Sequence, residues 1–134
     1  MSIEKATVLI ADDDPDIRRI LRTHLEEHCG SVLVAANGDE ALETILVEQP
    51  DLVILDVMMP GLNGWEICRY VREKEGLGHV GILMLTAIGQ EVNAMTAPLY
   101  GADEYLDKPF LLDAVDEALE RVLSIRDERV AASD

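Results

Sequence analysis

Five short apolar segments, each followed by a segment of helical periodicity, constrain the fold of this chain more than any other feature. The predicted strands are residues 7–11, 31–35, 53–56, 80–85 and 104–106. Short apolar runs bounded by turn residues are typical of strands buried on both faces. Strand and helix alternate five times, which predicts one parallel sheet with right-handed crossovers and helices on both faces.

Capping residues mark where the first three helices begin. Asp14 stands directly before Pro15, the arrangement of an N-cap and a first helical residue. Asn37 and Asn63 each stand three residues before a glutamate, which is the pattern of a capping box. Gly30 is predicted to end the first of these helices.

The last two predicted helices are less uniform. A weak helix is predicted for residues 90–99, and Pro98 within it predicts a short or mobile segment. The final apolar helical face runs over residues 111–122. We therefore expect one domain over residues 6–124, and a frayed tail or the start of a linker over residues 125–134.

Net charge excludes several kinds of partner. The chain has 27 acidic and 11 basic residues and a net charge of −16. Nucleic acids and anionic membranes need clustered basic residues, so neither is expected as a direct partner. No apolar run approaches the roughly 20 residues of a membrane span, and residues 1–5 carry no export signal. Cys29 and Cys68 have no metal or redox spacing, and we expect free, inert thiols in a cytoplasmic protein.

Polar residues follow four of the five predicted strands. Asp12 and Asp13 follow the first, Asp56 ends the third, Thr86 follows the fourth and Lys108 the fifth. In sheets of this kind ligands bind beyond the carboxyl ends of the strands. If the first and third strands are neighbours, the three carboxylates converge in one pocket.

Such a pocket needs positive charge, because carboxylates in contact raise one another's pKa. A divalent cation with oxygen ligands, Mg²⁺ or Mn²⁺, and the ammonium of Lys108 can both supply it. A carboxylate can also act as a nucleophile toward phosphorus, with metal, ammonium and hydroxyl groups stabilising the phosphoryl oxygens. This set of residues predicts that Asp56 accepts a phosphoryl group.

These residues resemble the receiver domain of two-component response regulators over nearly the whole chain, from about Thr7 to Leu123. The resemblance rests on Asp12-Asp13, Asp56 with Met59-Pro60 and Gly64, Thr86-Ala87 and Lys108-Pro109-Phe110. It implies a flavodoxin-like five-stranded sheet of order 2-1-3-4-5 with five helices. It also implies phosphotransfer to Asp56 from a histidine kinase or phosphotransfer protein. Self-catalysed phosphorylation and dephosphorylation would be the only chemistry of such a protein.

The resemblance further implies a role for each site residue. Asp13, Asp56 and the Met58 backbone carbonyl would bind Mg²⁺ directly, and Asp12 would bind it through water. Thr86, Ala87 and Lys108 would contact the phosphoryl group, and the Lys108–Pro109 bond would be cis. Thr86 and Tyr105 would form a switch that alters the surface of the fourth helix, fifth strand and fifth helix for a downstream protein or a fused output domain.

Three features depart from common family usage. Met58 and Ile88 are apolar at positions where polar side chains often guide water, and we expect them to slow loss of the phosphoryl group. The last helix is acidic and lacks the basic residues that DNA-binding regulators of the winged-helix type use to dimerise through this face. We therefore do not expect that mode of dimer. A monomer or weak homodimer is the expectation.

Other interpretations remain open at this point. The domain could be a docking module that works without phosphorylation. It could also be a phosphatase with an aspartyl intermediate, although Met58 stands where that class has a second aspartate. Asp12, Asp14 and Asp16 begin like a calcium loop, but Ile17 occupies its glycine position. His24 and His28 are spaced like a zinc pair without an evident third ligand, so a structural role is preferred.

Overall fold

The computed structural model describes residues 1–87 and 101–133 of the chain. Five parallel strands form one sheet in the order β2-β1-β3-β4-β5. Their bounds are Thr7–Ala11 (β1), Ser31–Ala35 (β2), Leu52–Asp56 (β3), Gly81–Thr86 (β4) and Glu104–Asp107 (β5). The predicted parallel sheet and its order are confirmed.

Four α-helices lie within these described ranges: Pro15–Glu26 (α1), Gly38–Glu48 (α2), Gly64–Glu73 (α3) and Leu112–Ser133 (α4). The fourth predicted helix, at 90–99, lies outside the described residues, as do Pro98 and Ile88.

The predicted helix starts are present. The Asp14 side chain accepts a hydrogen bond from the Asp16 backbone N–H, and Asn63 forms a full capping box with Glu66. Asn37 accepts from the Glu40 backbone N–H. Each cap satisfies a backbone donor that the first helical turn leaves without a partner.

The sheet buries both of its faces. Alternate strand residues point to opposite sides, so Leu9, Val53 and Leu55 pack toward α2 and α3, whereas Val8 and Ile10 pack toward α1 and α4. All five residues of β3 are buried. The Asp56 strand is therefore the centre of a two-sided core, and this rigid support fixes the residue that ends it.

Helix α4 continues past residue 124, the predicted end of the domain. Arg126 donates to the Asp51 carboxylate at 3.0 Å, and Arg129 pairs with Asp103, which also binds Arg72. The helix is continuous to Ser133, across the residues for which the sequence predicts a frayed tail or the start of a linker. The sequence pattern misses this extension because charged contacts, rather than an apolar stripe, hold it against the sheet. A domain boundary near residue 124 stays a prediction.

Both cysteines are free thiols. Burial, with the charges of Asp116 and Glu120, raises the pKa of Cys29 to about 11. Burial raises the pKa of Cys68 to about 12. Thiolate is the reactive form, so both positions are chemically quiet, as predicted.

None of the helices in the described ranges has the length and apolar character needed to cross a membrane.

Candidate functional site

Three carboxylates meet at the carboxyl edge of the sheet. Asp12 follows β1 and Asp56 ends β3, and these two strands are neighbours. Asp12 is 0% exposed and Asp56 is 4% exposed, whereas Asp13 is open to solvent. One oxygen from each of the three lies within 4.8 Å of the others. The structure therefore brings together the three acidic residues that the sequence pattern selected.

The start of α1 fixes the orientation of Asp12. Its Oδ1 accepts a hydrogen bond from the Asp14 backbone N–H at 2.9 Å, and its backbone carbonyl oxygen accepts one from Arg18 Nη1 at 2.8 Å. Arg18 was not predicted from the sequence. Its position one helical turn after the Asp14 cap nevertheless allows its side chain to reach the loop before the helix. With Oδ1 engaged, Oδ2 is the Asp12 oxygen that faces the pocket.

Lys108 reaches across the edge of the sheet into the same pocket. Its Nζ lies 2.8 Å from Asp12 Oδ2 and 3.4 Å from Asp56 Oδ2. The Lys108–Pro109 peptide bond is cis, as the family resemblance implied. One ammonium therefore contacts two buried carboxylates.

The electrostatics of Asp56 follow from this crowding. Burial, together with the charge of Asp12, raises the pKa of Asp56 to about 6, against the lowering effects of Lys108 and the Met58 N–H. Burial alone would lower the pKa of Lys108, but its close ion pairing with Asp12, joined by the charge of Asp56, raises it. Lys108 therefore stays charged, and Asp56 is largely ionised at neutral pH.

The donor set fits a hard divalent cation. Its three ligands are all carboxylate oxygens, and Asp13 lies at the solvent side, which leaves room for bound water. Buried Asp12 Oδ2 has Lys108 as an ion-pair partner but receives no well-aligned hydrogen bond from the described part of the chain. One lysine cannot balance three carboxylates, so these residues suit Mg²⁺ or Mn²⁺. A ligand role for the Met58 carbonyl stays a prediction.

Close backbone packing holds the end of β3. A Cβ built on Gly64 would lie 2.5 Å from the Asp56 carbonyl oxygen, so only glycine permits this approach. The Gly64 N–H donates to the Val57 carbonyl at 2.9 Å. Met58 turns its side chain outward, 62% exposed, while its N–H lies 3.4 Å from Asp56 Oδ1. The loop thus places an exposed apolar side chain two residues after the carboxylate.

Thr86 is buried and its hydroxyl is already engaged. Thr86 Oγ1 donates to Asp107 Oδ1 at 2.6 Å across the β4–β5 pair. Asp107 was not selected from the sequence, although it directly precedes Lys108 and pairs in register with Thr86. In this structure the predicted switch hydroxyl is held toward β5 by that carboxylate.

The remaining predicted residues lie around the pocket in different ways. Tyr105 is partly buried against the core on the α2 and α3 side. Ala87 and Pro109 line a groove next to Lys108. Ile88 lies outside the described residues, so its predicted effect on dephosphorylation stays a prediction.

The chain matches the family model described as response regulator receiver domain over residues 8–120. It belongs to that family. The predicted sheet order, the three convergent aspartates and the reach of Lys108 agree with this membership.

Curated relatives include two kinds of named transcriptional regulator. The chain is 44% identical over 110 residues to a probable transcriptional regulator, ycf27, of Cyanophora paradoxa, covering 82% of this chain and 45% of that protein. It is 45% identical over 103 residues to the transcriptional regulatory protein ResD of Bacillus subtilis, covering 77% and 42%. The chain spans about half the length of the curated relatives that it matches.

Solved structures of response regulators have the same fold. A putative response regulator from Chloroflexus aurantiacus superposes with a TM-score of 0.82 at 36% identity, covering 90% of this chain and 98% of that one. The chemotaxis response regulator CheY4 of Vibrio cholerae gives 0.80 at 33% identity, covering 89% and 99%. A receiver fold of this extent therefore exists both in longer regulators and in chains of similar length.

Proposed function

We propose that this receiver domain accepts a phosphoryl group on Asp56 from the phosphohistidine of a sensor histidine kinase or a phosphotransfer protein. The observation that carries the proposal is the position of Lys108 Nζ, within 3.4 Å of the Asp56 carboxylate and 2.8 Å of Asp12. A nucleophilic carboxylate beside a fixed ammonium is the arrangement that phosphoryl transfer needs.

The transfer is a substitution at phosphorus. An Asp56 oxygen forms a bond to phosphorus as the phosphorus–nitrogen bond of the donor histidine breaks. The electron pair returns to the imidazole, which takes up a proton. Asp56 must be ionised to attack, and its raised pKa of about 6 still leaves it largely ionised at neutral pH.

Lys108 would contribute both before and after the phosphoryl transfer. Before transfer its ammonium balances part of the charge on Asp12 and Asp56. After transfer it can pair with an oxygen of the aspartyl phosphate, because the long side chain spans the pocket. A bound Mg²⁺ or Mn²⁺, held by Asp12, Asp13 and Asp56 with the Met58 carbonyl, would neutralise the remaining negative charge.

A groove beside the pocket suits the phosphodonor protein. About 580 Å³ of space opens next to Lys108, and its wall is mainly apolar, with Ile17, Ile20, Phe110 and Leu112 contributing. Ile20 is 49% exposed. The donor histidine must reach Asp56, so a donor protein docked for transfer has to cover surface next to the pocket. An apolar face of that protein would gain stability by burying these side chains.

We further propose that phosphorylation acts through Thr86. The Thr86 hydroxyl would leave Asp107 and turn to the phosphoryl group, and Tyr105 would move into the vacated space. This movement would alter the surface formed by the predicted helix at 90–99, β5 and α4. A downstream protein or fused output domain would then bind that surface.

The expected setting follows from composition. We propose that the protein is cytoplasmic, and its two free thiols support this. We also propose that it contacts proteins rather than nucleic acid or membrane, because its net charge is −16. A monomer or weak homodimer is the corresponding assembly. Catalysis of its own phosphotransfer and dephosphorylation would be its only chemistry.

Intact-mass spectrometry tests the central step. The protein is incubated with Mg²⁺ and acetyl phosphate, and the expected product carries one added phosphoryl group. Asp56→Asn should remain unmodified. Asp113→Asn, which removes a surface carboxylate from α4, is the matched control and should be modified like the parent.

Three results would contradict the proposal. The absence of an adduct from acetyl phosphate and from phosphorylated histidine donors would favour a docking module that works without phosphorylation. Release of many equivalents of phosphate per minute would favour a phosphatase-type enzyme. An adduct that persists in Asp56→Asn would place the acceptor at another residue.

A further inference from the structure

A second cluster of metal-ligating side chains joins α1 to α4 and shares no residue with the phosphoacceptor pocket. It consists of His24 in the last turn of α1, His28 in the turn that follows α1, and Asp116 on α4. One ligand atom from each of the three lies within 4.8 Å of the others. The third ligand that the sequence did not reveal is thus supplied by a residue 92 positions from His24.

The turn after α1 brings the two histidine rings together. The His28 backbone N–H donates to the Leu25 carbonyl at 3.0 Å, and the His24 and His28 ring centroids are 4.6 Å apart. Asp116 reaches them from the neighbouring helix. His24 Nε2 lies 2.8 Å from Asp116 Oδ1 and 3.0 Å from Oδ2.

The donor types select the kind of ion. Two imidazole nitrogens and one carboxylate oxygen form a mixed set that suits Zn²⁺ better than Mg²⁺, which prefers oxygen ligands. Donor atoms that share one zinc ion at bond lengths of about 2.0–2.2 Å lie closer together than 4.8 Å, so the three side chains would draw together on binding. His28 is exposed and His24 and Asp116 are only partly buried, which leaves these side chains some freedom to move.

Space for a fourth ligand lies next to the cluster. A cavity of about 210 Å³ is lined by His28, Asp116 and Glu120 together with apolar side chains. A water molecule there could complete a tetrahedral site, as in zinc sites that have three protein ligands. The negative charge of Glu120 at its wall also favours a cation.

We propose that His24, His28 and Asp116 bind one Zn²⁺ ion that bridges α1 and α4. Without zinc, the His24–Asp116 contact is a simple hydrogen-bonded pair that ties the two helices together. The two interpretations differ in His28, because this residue has no part in the pair but is a ligand in the proposed site.

Isothermal titration calorimetry with ZnCl₂ in saturating Mg²⁺ tests the proposal on the full chain, first stripped of metal with a chelator that is then removed. The excess Mg²⁺ occupies the carboxylate pocket. One equivalent of Zn²⁺ should bind, and His24→Gln and His28→Gln should each weaken binding by at least about tenfold. His79→Gln, which changes the remaining histidine of the chain, is the matched control and should bind like the parent.

Two further measurements separate ligand loss from misfolding. Zinc should raise the melting temperature of the parent and of His79→Gln but not of His28→Gln, because an ion that binds only the native state stabilises it. NMR should show zinc-dependent shifts of the His24 and His28 ring signals, with the His79 ring unchanged. Far-UV circular dichroism should confirm that each variant is folded.

The proposal fails if no stoichiometric zinc binding occurs in Mg²⁺, or if His28→Gln binds zinc as tightly as the parent. It also fails if binding disappears in Asp13→Asn but persists in His28→Gln, since the ion would then occupy the carboxylate pocket.

Discussion

The Thr86 hydroxyl donates a 2.6 Å hydrogen bond to the carboxylate of Asp107, the residue immediately before Lys108. Two consecutive residues at the end of β5 therefore bind the Thr86 hydroxyl and the two buried carboxylates of the pocket. Phosphorylation would have to compete with Asp107 for the Thr86 hydroxyl. This competition predicts that Asp107 restrains the switch in the unmodified protein.

Asp107→Ala should favour the switched state. Hydrogen bonds to charged groups contribute about 1.5–3 kcal/mol. Loss of the Thr86–Asp107 bond should therefore shift the equilibrium between the unswitched and switched states by roughly tenfold or more. Faster phosphorylation by acetyl phosphate, followed by intact mass, is the expected result. The gain should disappear in the Thr86→Ala background, since a double-mutant cycle isolates the coupling between the two side chains. Equal effects of Asp107→Ala with and without Thr86 would contradict this reading.

Asp56 should make stability depend on pH in the absence of divalent metal. Its pKa is raised to about 6 from 3.8, so the folded state favours the neutral form. Its contribution to stability is therefore fully present below about pH 4 and is lost as pH rises through 6. Urea unfolding in a chelator at several pH values measures this loss.

Asp56→Asn, which cannot ionise, should be more stable than the parent at pH 7 by up to about 3 kcal/mol. The difference should shrink toward pH 4. Asp113→Asn serves as the control and should follow the parent at each pH. A constant difference between Asp56→Asn and the parent across this range would argue against the raised pKa.

Gly64→Ala should damage both stability and phosphoryl uptake. The added Cβ would lie 2.5 Å from the Asp56 carbonyl oxygen and 3.0 Å from Val57 Cα. Relieving such overlap costs about 1–3 kcal/mol and displaces the end of β3. Gly78→Ala is the matched control, because its nearest atom for a new Cβ is 4.0 Å away. Gly64→Ala should unfold at a lower urea concentration than Gly78→Ala and should be phosphorylated more slowly.

The aspartyl phosphate should be long-lived because Met58 and Ile88 cannot position water through a polar side chain. Met58→Asn should shorten the lifetime by about fivefold, the rate equivalent of one hydrogen bond of about 1 kcal/mol to the attacking water. Met58 is largely exposed, so the fold should tolerate the change. Met58→Leu is the apolar control. A parent lifetime of seconds that Met58→Leu leaves unchanged would count against the idea.

Removal of residues 125–134 should destabilise the domain. The deletion eliminates the Arg126–Asp51 pair and the contacts of Arg129 with Asp103, all partly buried. Thermal unfolding of a chain that ends at residue 124 should show a loss of about 1–3 kcal/mol. Arg126→Gln should account for part of it, and Glu128→Gln, at an exposed position, should have little effect. Unchanged stability on truncation would support residue 124 as the domain boundary.

Most of the correct predictions of strands, helices and caps depended on residues close together in the sequence. The apolar run that ends in Asp56 and the Asp14 and Asn63 caps could be recognised because strands, helices and caps depend on residues within a few positions of one another. The extension of α4 could not be recognised from the sequence, because Arg126 and Arg129 bind partners distant in sequence. Asp107 was missed for the same reason, as its partner Thr86 lies 21 residues earlier.

By itself the sequence determined the alternation of strands and helices and the chemical types at each strand end. Periodicity and capping are local properties, and the motif residues identify the receiver family. Tertiary structure alone decided how far Lys108 reaches, which carboxylate holds the Thr86 hydroxyl, and that Asp116 faces His24. Those relationships depend on packing between elements remote in the chain, where a difference of a few ångströms separates an ion pair from no contact.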